Sequence, residues 1–240
     1  MKENIKLQFY QTKDNTILNA YDNIVFNVIE QQTLHGYKSF LLCGCEPQVG
    51  TTSIVIELSI ILARLGKKVL ILDGDFRRES ANKRHHDVAK WGISDYVEDP
   101  DVTLQECIYG SNIDGLYMLS SGRMDNQHAR QVLYSPRFEK AMKILKKKFD
   151  FIMIDSCALD TTSDVLALAS FSDAVMLVCA LNSSPKSKLT KAHQQLKRIN
   201  CNLIGVIENM VDMKEYESYM DDYNYYNLSA DARKGKAREA

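Results

Sequence analysis

Residues 38–78 read KSFLLCGCEPQVGTTSIVIELSIILARLGKKVLILDGDFRR, and the order of elements in this stretch decides the fold. Ser39 to Cys43 is a short apolar run, too short for a helix and suited to a buried strand. Gly44 to Gly50 is a loop carrying Pro47. From Thr51 the residues Ile54, Val55, Leu58, Ile61, Leu62 and Leu65 recur at helical spacing, and Gly66 stands where a C-terminal cap belongs. Lys68 to Leu72 is a second strand, ending in Asp73-Gly74-Asp75. A buried strand that feeds a glycine loop and then a helix start binds phosphate, because bare backbone N–H groups and the helix dipole point outward there. The stretch opens a nucleotide-binding α/β fold.

The signature is incomplete. A standard phosphate loop is G-x-x-x-x-G-K-[ST], with lysine on the β/γ-phosphates and the hydroxyl on magnesium. Gly50 and Thr52 are in register, but the lysine position is Thr51, and Gln48 stands where a further glycine is usual. A hydrogen bond to a charged group contributes about 1.5–3 kcal/mol, so its loss weakens nucleotide binding about ten- to a hundredfold.

The remaining composition narrows the setting. A chain of 240 residues holds one sizeable α/β core with short appendages. A net charge of −1 gives no broad electrostatic reason to expect nucleic acid. Six scattered cysteines, with Cys43 and Cys45 a single residue apart, lack zinc spacing and read as small buried hydrophobes in a reducing compartment. No apolar run reaches the ~18 residues of a membrane span, and MKENIKLQ is no signal-peptide core. The expectation is a cytoplasmic protein whose contact with the inner face of the membrane runs through a partner.

Three regions are expected: an N-terminal helical segment over 1–36, a phosphate-loop domain over 37–212, and a flexible tyrosine-rich tail over 213–240. In the first, Ile17 to Ile29 is amphipathic. Beyond Asp75 a charged linker carries His85 and His86, read as solvated rather than metal-binding. Ile93 to Val97 and Thr103 to Tyr109 read as helical turns, Leu116 to Leu119 as a strand, and Ser135 to Lys148 as a helix. Its lysines 146–148 complement the helix dipole. Phe149 to Ser156, FDFIMIDS, presents Asp155 at the carboxyl end of a central strand, where magnesium-bound water sits in such folds. Helix 162–170, strand 174–181, helix 186–199 and strand 203–209 follow, the last ending in Asn209. Such alternation predicts a doubly wound, mostly parallel sheet with helices on both faces. In the tail, Tyr216, Tyr219, Tyr223, Tyr225 and Tyr226 stand among acidic and amide residues. They read either as a polar disordered segment or as accessible phosphoacceptors.

Together these residues resemble the bacterial tyrosine kinases (BY-kinases) of capsule and exopolysaccharide loci, within the deviant phosphate-loop class that includes the partition and division-site ATPases. Pro47, Gly50 and Thr52 match the family's S-x-x-P-G-x-G-K-[ST]-T, and LILDGDFRR at 70–78 is close to LLIDADLRRP. Residues 149–156 resemble YDYVIIDTPP, 92–97 resemble GLSDYL, 205–209 match GVVLN, and Gly122, Asn126, Leu133 and Ser135 survive from G-x-x-P-x-N-P-x-E-L-L-x-S. The tyrosine tail favours the kinase branch.

The resemblance implies ATP-dependent tyrosine autophosphorylation regulating polysaccharide assembly, with Mg²⁺ and ATP bound across Pro47, Gln48, Val49, Gly50, Thr51, Thr52 and Ser53. It implies Asp73 as the base, Thr52, Asp75 and Asp155 at the metal, Asn209 at adenine, and the five tail tyrosines as acceptors. It also implies a membrane polysaccharide co-polymerase as partner, docking through that protein's cytoplasmic tail, and contact with further copies or a paralogue. The family's E-A-Y-R-x-L-R oligomerisation motif aligns with 19–25, NAYDNIV, where both arginines are gone. Arginine motif and lysine are lost together, so a catalytically impaired scaffold is the alternative.

Overall fold

The computed structural model describes residues 6–12, 14–76, 90–122, 129–181 and 183–212. Among them, apolar runs and helical periodicities settle into β1 (Lys6–Leu7), α1 (Asn15–His35), β2 (Ser39–Gly44), α2 (Thr51–Arg64), β3 (Val69–Asp73), α3 (Ile93–Glu98), β4 (Ile108–Ser111), β5 (Leu116–Leu119), α4 (Ala129–Leu133), α5 (Pro136–Lys148), β6 (Phe151–Asp155), α6 (Asp164–Phe171), β7 (Ala174–Ala180), α7 (Lys186–Arg198) and β8 (Leu203–Asn209). The strands form one sheet in the order β1-β4-β5-β3-β6-β2-β7-β8. From β5 to β8 every pairing is parallel, and β4 runs antiparallel to β5. This is the expected doubly wound α/β architecture.

Alternation along each strand explains the two helical layers. In β2, Phe40 and Leu42 face one side and join Val25 and Val28 of α1 and Ile54, Val55 and Leu58 of α2. Leu41 and Cys43 face the other side, into a core with Ile93, Val132, Phe138, Leu145, Leu168 and Leu196 of α3 to α7. Successive side chains of a strand point to opposite faces, so a strand covered on both sides reads as an unbroken apolar run. Cys43, Cys45, Cys107 and Cys179 are buried free thiols. Burial pushes the Cys107 thiol up to about 12, and Cys43 is raised further by burial and by its thiol neighbours.

Three local expectations change. Helix α1 runs beyond Ile17–Ile29 to 21 residues, because Asp14 accepts from the amides of Thr16 and Ile17 at one end and Gly36, at φ 71°, closes the other. The stretch 103–109 is not one helical turn. It is a turn closed by the Glu106 amide on the Thr103 carbonyl, followed by β4, whose residues Ile108 and Tyr109 pair with Leu119 and Met118. The N-terminal segment also contributes β1, paired in parallel with β4. A strand of two residues carries no periodicity to read; only its tertiary pairing defines it.

Candidate active site

The fold brings the predicted site residues to the carboxyl edge of the sheet. β6 lies between β2 and β3, so Asp155 is flanked by the strand that feeds the loop and by the strand that ends in Asp73. Asp155 pairs in register with Leu42 on one side and with Asp73 on the other. Gly74 lets the chain turn over the end of β6: its amide donates to the Asp155 carbonyl at 2.8 Å. A Cβ there would stand 2.8 Å from that oxygen and 2.7 Å from Leu168 Cδ1. The Asp73 carboxylate is held from two sides, by the Asp75 amide on Oδ1 at 3.1 Å and the Ser121 hydroxyl on Oδ2 at 3.0 Å.

The loop has the shape its sequence only partly advertises. Gln48 adopts φ 64° and Gly50 φ 87°, two left-handed positions that wrap the backbone toward the start of α2. Gly50 is the N-cap of α2 and offers no side-chain acceptor to the first-turn amides, as an anion cradle requires. Thr51 is buried, while Thr52 and Ser53 are exposed at the mouth. Asn209 donates to the Val49 carbonyl at 2.8 Å, and a Cβ on Gly50 would meet its amide nitrogen at 2.3 Å. Its side chain thereby braces the loop whose residues line the cleft.

One cleft of about 540 Å³ is lined by residues 46–53, Asp73, Asp75, Asp155, Ser156 and Cys157, with an apolar extension formed by Phe9, Ile56, Ile71 and Met118. That volume suits a nucleotide-sized ligand. No lysine or arginine stands among the described lining residues, and Arg77 and Arg78 fall outside the described residues. Among the described residues no three His, Cys, Asp or Glu side chains close into a metal cage. Mg²⁺ needs none, because it keeps waters and takes one or two carboxylates plus substrate phosphates. Thr52, Asp75 and Asp155 on one cleft fit that donor chemistry. Ser121 and the apolar extension escaped sequence reasoning: Ser121 follows β5, which pairs with β3, and Phe9 follows β1, which pairs with β4, and chain order states neither placement. The five tail tyrosines, and His85 and His86, lie outside the described residues.

The sheet order, the bare helix start and the carboxylates at the strand ends define a phosphate-loop α/β protein of the nucleotide-binding class. The AAA_31 family model (AAA domain) matches residues 47–208, and the chain belongs to that family. It is similar to the tyrosine-protein kinase CpsD of Streptococcus pneumoniae serotype 4, at 28% identity over 179 residues, covering 73% of this chain and 77% of that protein. It is also similar to the putative tyrosine-protein kinase EpsB of Ralstonia nicotianae, at 24% identity over 192 residues, covering 80% of this chain and only 25% of EpsB. The chain thus spans about a quarter of the length of that relative. Among solved structures, the chimerical protein CapA2B2 superposes with a TM-score of 0.75 at 22% identity, over 87% of this chain and 93% of that one. The septum site-determining protein MinD of Pyrococcus horikoshii OT3, solved with Mg-ADP, superposes with a TM-score of 0.57 at 22% identity, over 71% and 69%.

Proposed function

We propose that the protein is a tyrosine-kinase-family regulator of capsular or exopolysaccharide biosynthesis, and that its cleft takes Mg·ATP. The observation that carries this reading is the convergence of the loop, Thr52, Asp73, Asp75 and Asp155 on one cleft. Backbone amides at 48–52 hold the phosphates, with the α2 dipole behind them. Thr52, Asp75 and Asp155 would hold Mg²⁺ and its waters, and the metal would supply neutralisation of charge on the phosphates. Asp73, steadied by Ser121 and the Asp75 amide, takes the proton of the incoming tyrosyl hydroxyl. The acceptors are Tyr216, Tyr219, Tyr223, Tyr225 and Tyr226. The partner is a membrane polysaccharide co-polymerase, which places the protein at the cytoplasmic face. The MinD structure with Mg-ADP, the tyrosine-protein kinase CpsD and the succinoglycan biosynthesis transport protein ExoP of Rhizobium meliloti among the relatives support this reading.

A second reading has its own observation. With Thr51 at the lysine position and no cation among the described lining residues, stabilisation of the transferring phosphoryl group is poor. On this reading the chain binds nucleotide weakly and acts as a scaffold on the co-polymerase or on an active paralogue. Incubation with Mg·ATP followed by phosphotyrosine detection separates the two. Signal that vanishes in Asp73→Asn excludes the scaffold, whereas no signal from protein that still binds Mg·ADP excludes autophosphorylation.

A further inference from the structure

The edge of the sheet opposite the cleft collects positive charge from several separate connections. Lys38 precedes β2, Lys67 and Lys68 precede β3, lysines 146–148 close α5, and Lys197 and Arg198 close α7. Side-chain contacts tie these groups into one surface. Lys68 Nζ lies over the Phe149 ring at 5.4 Å, and Lys38 Nζ donates to the Phe149 carbonyl at 3.4 Å. Lys146 reaches the Phe171 carbonyl at 3.0 Å, and Asn202, just beyond α7, donates to the Asp173 carbonyl at 2.9 Å. Eight cations therefore share this edge with three described carboxylates, Asp114, Asp150 and Asp173. Two of those acids are engaged locally: Asp150 accepts the Lys68 amide, and Asp173 accepts the amides of Lys38 and Ser39 and pairs with Lys146 at 2.7 Å, so that Lys146 adds little to the open charge of the face. At about 4.8 Å between neighbouring strands, the cations from β3 to β8 spread over roughly 20 Å.

The same edge exposes leucine. Leu34, in the last turn of α1, is 65% exposed, and Leu65, directly after α2, is 56% exposed. The α1 end belongs to this surface because Gln32 donates to the Asp150 carbonyl at 2.7 Å. Basic side chains alone would suit any polyanion. Basic side chains around protruding leucines suit a surface that is anionic at its plane and apolar just beneath it.

We infer that this amino edge is a direct docking face for anionic phospholipid, which would present the cleft to the side away from the bilayer. The inference uses none of the cleft residues and stands apart from the proposed activity. The test is co-sedimentation of the full chain with vesicles of phosphatidylcholine alone and of equal parts phosphatidylcholine and phosphatidylglycerol. Binding is expected only to the anionic vesicles and is expected to fall as the Debye length shrinks from about 10 Å at 0.1 M salt to about 3 Å at 1 M. The exposed triple variant Lys147→Glu, Lys148→Glu, Arg198→Glu should lose at least about tenfold in partition coefficient, since each basic group near the surface contributes about 1 kcal/mol. Leu34→Ser with Leu65→Ser should lose several-fold at unchanged salt dependence. The milder Lys147→Gln with Arg198→Gln serves if the reversal harms folding. Equal sedimentation with both vesicles, or no loss in the charge variants, overturns the inference. Leucine variants that bind like the parent, with polyglutamate competing as well as the vesicles, would reassign the face to an acidic macromolecule and overturn it too.

Discussion

The two ends of the sheet use aspartate in opposite ways. At the amino edge, Asp173 is spent on structure: its Oδ2 accepts from the amides of Lys38 and Ser39 at 2.9 Å each, and its Oδ1 meets Lys146 Nζ at 2.7 Å. At the carboxyl edge, Asp73, Asp75 and Asp155 line a cleft of ligand size beside a bare helix start. Backbone amides entering a parallel strand lack a strand partner and need a local acceptor. Aspartate at one pole closes the fold, while at the other it lines an open cleft.

The sharpest way to break this contrast is the same substitution at each pole. Asp173→Asn removes the charge that faces an ammonium and two amides, and should cost about 2–3 kcal/mol, lowering Tm by roughly 4–12 °C in a chain of this size. Asp73→Asn should change stability by less than about 1 kcal/mol. Thermal denaturation of both, side by side, checks this, and equal losses would erase the distinction. Acid sharpens the comparison further. Burial works against the charge on Asp173, but Lys146 and the Lys38 and Ser39 amides outweigh it and hold the carboxyl below its ordinary range. The folded state then binds fewer protons than the unfolded one between the two values. This contribution is complete above the ordinary carboxyl range and is lost as pH falls through the lowered value. Urea midpoints of Asp173→Asn should therefore fall less steeply between neutral and acid pH than those of the parent.

Thr51→Lys probes the opposite pole and should tighten Mg·ADP about ten- to a hundredfold by titration calorimetry. No gain would mean that the loop is not shaped for phosphate. The smallest expected effect is that of Gln48→Gly. A side chain held at φ 64° carries about 1 kcal/mol of conformational cost, so glycine should stabilise the protein by about that amount in urea unfolding. A neutral or destabilising result would show that the Gln48 side chain supplies contacts that offset its strain.

Most of the carboxyl edge was legible because its signals are local. A buried strand, a loop with Gly50, and a helix with apolar residues three and four apart can be read from 38–66 alone, as can aspartates at the ends of β3 and β6. The turn and strand at 103–111 misread as helix because Leu104, Cys107 and Ile108 happen to sit at helical spacing, while pairing with β5 wins. Nothing in the local sequence at Asn209 shows that its amide donates to the Val49 carbonyl, a partner 160 residues away. Ser121 carried no signal, since a serine after a short strand looks like any other.

What the sequence determined by itself is the class of fold and the kinds of group available to the site, together with the absence of lysine at position 51. Those follow from periodicity, strand-end residues and turn chemistry, all of which act within a few residues. The tertiary structure decided that β6 is inserted between β2 and β3, which sets Asp155 beside Asp73, and that Asn209 supports the loop. It also decided that cations from four separate connections lie at one level. Sheet order is fixed by packing between distant segments, and the energy that selects it is invisible in any window of the chain.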